Sequence, residues 1–201
     1  MTETVDTGQE PRRSSLYRHV SEQVLSLQEG YVQDRASAVA ALAKLRRGVG
    51  KQPGELPDLA QWTAPGLFVQ NYHSDEIAPE EYAAHAAITL FAMHQQSHRS
   101  EYMHRTGRSL GASARKLRFT LGEHGEAGVL RRFNAVGTAS DFTELLRHAR
   151  GLVQQFRSKG IWLDYAMLAD DLRKLMDPAT APGVRNRWGR HFYRPPRKAE
   201  D

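Results

Sequence analysis

The chain contains no cysteine. That absence excludes a disulfide framework, a thiolate-held zinc or iron–sulfur centre and a thiol nucleophile. Long apolar runs are missing too, and nowhere do about 18 apolar residues follow one another, the length a bilayer-spanning helix needs. Met1 to Ser15 carries Glu3, Asp6 and Glu10 and no apolar core, which is not the pattern of a secretory signal. A cytoplasmic protein without membrane contact is the expectation. Alternating runs of β-branched or aromatic residues do not occur either, which argues against a sheet. Lysine is scarce: of 28 basic residues six are lysine and 22 are arginine, set against 23 acidic residues for a formal charge of +5. The bias matters because the planar guanidinium forks onto two phosphate oxygens, whereas an ammonium is a point charge.

What is present is helical periodicity. The 201 residues, 40% hydrophobic and 25% charged, suit one globular domain rather than two or a disordered chain. Leu16, Val20, Val24 and Leu27 share one face of a helix capped by Ser14 or Ser15. A second helix is predicted from Gln33 to Arg47, with Val39, Leu42 and Leu45 inward and Gly48 as a left-handed stop. Val49 to Gly66 holds three Gly and three Pro and reads as a long irregular connection. Pro79, Glu80 and Glu81 open a helix whose stripe is Ala83, Ala87, Leu90 and Phe91. Ser109 caps another, with Leu110, Ala114, Leu117 and Leu121 inward and Gly122 at its end. Val129, Leu130, Phe133 and Val136 mark a short helix. After Ser140 the stripe Phe142, Leu145, Leu146, Ala149, Leu152, Val153 and Phe156 is the clearest of all, closed by Gly160. Asp164 caps the last, with Tyr165, Leu168, Ala169, Leu172, Leu175 and Met176 inward and Pro178 beyond. The reading is all-α: a flexible tail over 1–13, a single-domain bundle of about six or seven helices over 14–193, and a basic then acidic tail over 194–201. Cations from Gly183 onward, Arg185 to Lys198, read as a solvated run.

Enzymatic motifs break down on inspection. His94, His98 and His104 reproduce the ligand spacing of the extended zinc-protease motif, but Gln95 stands where a general-base glutamate is required and Glu101 where a glycine turns the chain. Gly48-Val49-Gly50-Lys51 lacks the gap and the hydroxyl of a phosphate loop. Asp170 and Asp171, with Asp164 nearby, read as solvated helix face, since adjacent helical residues diverge by about 100°. No Gly-x-Ser-x-Gly elbow surrounds any serine. The expectation is a non-catalytic protein with no metal, no cofactor and no small-molecule substrate.

Arginine clustering remains. Lys44, Arg46, Arg47 and Lys51 gather at the end of the second helix. Arg99, Arg105, Arg108, Arg115, Lys116, Arg118, Arg131 and Arg132 crowd one stretch against Glu101, Glu123 and Glu126. Arg147, Arg150 and Arg157 form a ridge beside the apolar stripe of their helix. Several basic helix faces in one bundle suit a phosphate-tracking surface with little sequence preference. Few aromatics lie among these cations (Tyr102, Phe119, Phe133), which favours backbone contact over base stacking.

Six stretches in order carry a family resemblance: Ala41-Leu42-Ala43-Lys44-Leu45-Arg46-Arg47-Gly48, His94-Gln95, Ser109-Leu110-Gly111-Ala112-Ser113-Ala114, Arg131-Arg132-Phe133, Leu163-Asp164-Tyr165 through Asp171-Leu172, and Trp188-Gly189-Arg190-His191-Phe192-Tyr193. The chain resembles CasB, the small subunit of the type I-E CRISPR surveillance complex Cascade, over roughly Tyr31 to Tyr193. The resemblance implies a helical, non-enzymatic subunit, two copies per complex, packed beside the backbone subunits, the large subunit and the guide RNA. Its implied role is to hold the displaced strand of target DNA and so support the R-loop. Arg46 and Arg47, then Arg131 and Arg132, inherit the implied nucleic-acid contacts because they lie inside matching stretches. Charge clustering adds Arg108, Arg115 and Lys116. Gly111 is read as permitting close packing, Trp188, Phe192 and Tyr193 as core or subunit contact, and His94 and Gln95 as structural. The competing readings are a free-standing helical DNA-binding regulator, built on a helix-turn-helix between Ser109 and Val136, and a zinc enzyme on the three histidines.

Overall fold

The structure, a computed structural model, describes residues 13–64 and 76–195. Residues 1–12, the Gly66 end of the predicted connection and the last residues, 196–201, lie outside the described part. Within it the chain forms α1 (Ser15–Val32), α2 (Ala36–Arg47), a 3-10 turn (Pro57–Leu59), α3 (Ala60–Thr63), α4 (Pro79–Gln95), α5 (Leu110–Leu121), α6 (Glu123–Gly137), α7 (Phe142–Ser158), α8 (Tyr165–Leu175) and α9 (Ala181–Tyr193). No strand occurs among the described residues, although one parallel bridge pairs His104 with Leu163.

α4 organises the bundle. It is apolar all round, and every residue from Ala83 to Gln95 is buried, the expected fate of a helix without a polar face. Its alanines let α1, α2, α7 and α8 approach closely. α5, α6, α7 and α9 build the other part of the bundle, α5 against α9 and α6 against α7, and α8 touches α9. On α7 the stripe Leu145, Ala149, Leu152, Val153 and Phe156 is buried as the periodicity predicts. Each of its larger side chains contributes roughly 1.5–3 kcal/mol by leaving water.

The caps are local chemistry. Side-chain oxygens of Ser14, Ser109 and Asp164 accept from the backbone N–H of Tyr17 (2.9 Å), Ala112 (3.3 Å) and Met167 (3.0 Å). α7 is capped by Asp141, which accepts from Glu144 N–H at 2.8 Å, while the Ser140 hydroxyl donates to the Glu144 carboxylate.

Four expectations need correction. α2 starts at Ala36, not Gln33, because α1 continues to Val32 and the chain reverses through Asp34 at φ +54°. Gly48 is right-handed (φ −80°); the left-handed residue is Gly50 at φ +84°. Gly48 is needed for space instead, since a Cβ there would lie 2.6 Å from Leu59 Cδ1 and 2.9 Å from Thr89 Cγ2. The basic stretch after Gly183 is a helix and not a tail: Arg185 and Arg190 face solvent as expected, but they do so from α9, whose Val184, Trp188 and Phe192 are buried. Nor is Asp171 on a solvated face. It is 1% exposed, its carboxylate accepts from Trp188 Nε1 at 2.6 Å and pairs with Arg187, and it ties α8 to α9. Asp164 is equally buried, accepting from Gly107 N–H (2.8 Å) and the Tyr17 hydroxyl (3.3 Å).

Candidate nucleic-acid interface

The predicted cations fall into two groups. In the first, α7 stands between the end of α2 and α6. The Arg150 guanidinium lies 3.9 Å from where a Cβ on Gly50 would be, and Arg132 Nη1 donates to the Gly151 carbonyl at 3.4 Å. The loop after Arg46 and Arg47 is thus joined through Arg150 and Gly151 to Arg132 and its neighbour Arg131. Arg47, Arg131, Arg132, Arg147 and Arg150 are exposed or half-buried, as is Arg46. Arg157, the third member of the α7 ridge, leaves it, donating from Nε to the Gln96 carbonyl at 3.0 Å.

The second group surrounds Trp162. The Arg108 guanidinium lies over the indole, 3.6 Å from its centroid, with Arg105 at 5.9 Å. Burial first, then the charges of Arg105 and Arg115, pull the pKa of Arg108 below its ordinary value, so three guanidinium groups sit within electrostatic reach of one another. Arg115 Nη1 donates to the carbonyls of Arg194 (3.1 Å) and Pro195 (3.3 Å), which fixes it across the end of α9. Lys116 is exposed on the same helix.

Some surface cations are held by carboxylates, whereas six of the seven predicted contact residues are not, a state they share with exposed Arg18, Lys44, Arg150 and Arg190 among the described residues. Carboxylates already hold Arg35, Lys51, Arg99, Arg118, Arg147, Arg173 and Arg187. Of the seven predicted contact residues Arg47 alone makes an ion pair among the described residues, with Asp58 at 3.4 Å, both partners exposed. Such a surface pair is worth little and yields readily to a phosphate. Cations without a carboxylate partner, gathered by packed helices, attract phosphates and release counterions when they bind.

Trp162 is the site residue that sequence reasoning misses. It is distant in the chain from Arg105 and Arg108, and is brought to them by the His104–Leu163 bridge together with Asp164 N–H donating to the Arg108 carbonyl at 2.9 Å. An arginine resting on an indole keeps its fork edge free for a phosphate.

The three histidines are spoken for separately. His94 Nδ1 meets the Tyr165 hydroxyl at 2.8 Å, His98 Nε2 meets the Arg157 carbonyl at 2.9 Å, and His104 Nδ1 accepts from Tyr165 N–H at 3.1 Å. Burial drives the His94 pKa down to about 3. Among the described residues no three His, Asp or Glu side chains converge as a metal set. Within the Ser109 to Val136 stretch weighed as a helix-turn-helix, Gly122 alone joins α5 to α6. A helix-turn-helix needs a turn of three to four residues there. No described helix is long and apolar enough to cross a membrane.

Comparison with known proteins agrees with this architecture. CasB from Thermobifida fusca shares 34% identity at a TM-score of 0.72, over 90% of this chain and 98% of that one. A CRISPR-associated protein of the Cse2 family from Thermus thermophilus shares 25% identity at a TM-score of 0.64, over 90% and 98%. A chain of a CRISPR RNA-guided surveillance complex shares the fold, with 24% identity and a TM-score of 0.67 over 89% and 94%. No curated protein matches the chain. The family described as CRISPR-associated protein Cse2 matches residues 41–193, from the middle of α2 to the end of α9. The chain therefore belongs to the Cse2 family, and it is similar in sequence and fold to CasB from Thermobifida fusca.

Proposed function

We propose that this chain is the non-catalytic small subunit of a type I-E CRISPR surveillance complex, where its arginine faces hold the displaced strand of target DNA by the phosphates and so stabilise the R-loop. The family supports the assembly, with backbone and large subunits, a second copy of this chain and the guide RNA as neighbours. One observation carries the chemistry: the fold gathers Arg46, Arg47, Arg150, Arg131 and Arg132, exposed or half-buried, along α2, α7 and α6, and Arg47–Asp58 is the one ion pair that holds any of them among the described residues. Forming an R-loop exchanges one duplex for another of similar stability, so a few phosphate contacts decide whether it persists. The guide reads sequence and this subunit reads charge, consistent with an absence of base-reading geometry at α5 and α6.

The test is charge reversal at Arg46 and Arg47 in the assembled complex. The double variant should assemble normally yet shorten the R-loop lifetime and expose the displaced strand to single-strand probes. Normal assembly with an unchanged lifetime would count against the reading.

A further inference from the structure

α5 and α9 pack so closely that a Cβ on Gly111 would lie 2.2 Å from the Trp188 carbonyl oxygen. Neither helix carries an acidic residue, whereas both carry several cations. Neighbouring elements neutralise two of these, Arg118 through Glu126 and Arg187 through Asp171. Lys116 on α5, Arg190 on α9 and Arg194 just beyond it are exposed and have no carboxylate partner among the described residues.

Two large rings stand exposed on these helices, Phe119 at 51% and Tyr193 at 58%. They belong to the C-terminal ends of α5 and α9, which lie together, because Arg115 Nη1 reaches the Arg194 and Pro195 carbonyls. Tyr193 meets the buried ring of Phe192 edge to face at 5.0 Å, and Phe192 in turn stacks on Phe133 at 4.2 Å. The Arg118 guanidinium sits 5.8 Å from the centroids of Phe119 and Phe192 alike, so both exposed rings are tied to one buried stack. Helical spacing sets cations beside each ring: Lys116 precedes Phe119 by three residues and Arg190 precedes Tyr193 by three. Tyr193 is remote in sequence from the basic stretch that holds Phe119, which is why counting aromatics along that stretch favours backbone contact alone.

Flat rings flanked by unpaired cations call for an occupant that is flat and apolar in one part and anionic in the next. An apolar protein surface would leave the cations without partners, and a second copy laid on the same face would set cation against cation. A duplex keeps the faces of its bases covered. An unpaired strand offers a π-face and a phosphate at every nucleotide.

We infer that the C-terminal ends of α5 and α9 form a stacking platform for unpaired DNA, with bases laid on Phe119 and Tyr193 and the neighbouring phosphates on Lys116, Arg190 and Arg194. This rests on the reading above that the subunit holds a single strand, and adds that bases are held as well as phosphates, with little preference among them.

The test is anisotropy of the full-length protein with two labelled strands of equal length, one of mixed-sequence DNA and one abasic throughout. The wild type should bind the base-bearing strand more tightly. Phe119→Ala and Tyr193→Ala should each weaken that binding roughly tenfold, the size of one base-to-aromatic contact, and leave the abasic strand unaffected. Both side chains are exposed, so helicity should hold, and Tyr193→Phe should restore the affinity. Lys116→Gln with Arg194→Gln should weaken both strands alike and flatten the plot of log K against log salt by about 0.7 for each lost contact. Equal affinity for the two strands, unmoved by the ring variants, would overturn the platform and leave the phosphate-held strand standing. Binding of neither strand overturns the platform. Ring variants that bind DNA as the wild type does but no longer join the other subunits would assign the rings to a protein contact and overturn it too. Ring variants that lose the base preference while the assembled complex keeps its R-loop lifetime would keep the platform and count against the displaced strand as its occupant.

Discussion

Gly111 offers a sharp test of how α5 and α9 are packed. A Cβ at this position would lie 2.2 Å from the Trp188 carbonyl oxygen, 2.9 Å from its carbon and 3.0 Å from its Cα. All three are backbone atoms of a neighbouring helix, so no rotamer relieves the clash. Non-bonded atoms rest at about 3.5 Å, so Gly111→Ala forces the helices apart by roughly 1 Å. That gap loosens Trp188 and Phe192, which are 1% and 0% exposed. Alanine recovers about 1 kcal/mol of helix propensity, while overpacking costs about 1–3 kcal/mol and the opened core adds to it. The net expectation is a loss of about 2–3 kcal/mol, or a fall in Tm of roughly 4–12 °C for a chain of this size. Gly189→Ala is the matched control on α9, where a Cβ meets nothing within 4 Å. It should gain roughly 0.4–1 kcal/mol. Urea and thermal unfolding of the wild type and both variants measure the contrast. A Gly111→Ala protein as stable as wild type, or two variants that shift alike, would refute the packing argument.

Asp171 carries a pH dependence. Burial raises its carboxyl to about 6, although Arg187 and Trp188 pull it back. Between about pH 4 and 6 the folded chain keeps this proton while the unfolded chain releases it, so stability falls as pH rises through that window. Relative to Asp171→Asn, which cannot titrate, the wild type should lose roughly 2–3 kcal/mol between pH 4 and 7, and a constant offset in urea midpoints would contradict this. Tyr165→Phe should cost about 1–3 kcal/mol, because His94 Nε2 already lacks a partner and Nδ1 then loses the hydroxyl at 2.8 Å. Thermal unfolding of that variant within about 1 °C of wild type would argue against the bond.

Much of the fold is legible in the sequence because α1, α5 and α7 carry unbroken apolar stripes behind side-chain caps. α9 is the instructive failure. Val184, Trp188 and Phe192 recur every four residues, but Pro182, Gly183 and Gly189 interrupt them and arginines surround them, so composition speaks louder than period. Asp171 escapes for a related reason: its partners Arg187 and Trp188 belong to that same unrecognised helix. Gly48 is conspicuous as a helix end, yet its role depends on Leu59 and Thr89, which local sequence cannot place beside it. At the candidate interface, clustering singles out the cations but not their state. Which arginines face carboxylates, and that Trp162 lies under Arg108, are tertiary facts.

The central claim is that the arginines at the end of α2 and on α6 grip a DNA backbone. It is tested most directly by anisotropy of mixed-sequence single-stranded DNA across about 50–200 mM salt, comparing the wild type with the fourfold variant Arg46→Glu, Arg47→Glu, Arg131→Glu and Arg132→Glu. Each lost phosphate contact flattens the plot of log K against log salt by about 0.7, so four contacts predict a slope shallower by about 3 at unchanged helicity. A fourfold variant that binds with the wild-type slope and affinity would contradict the account.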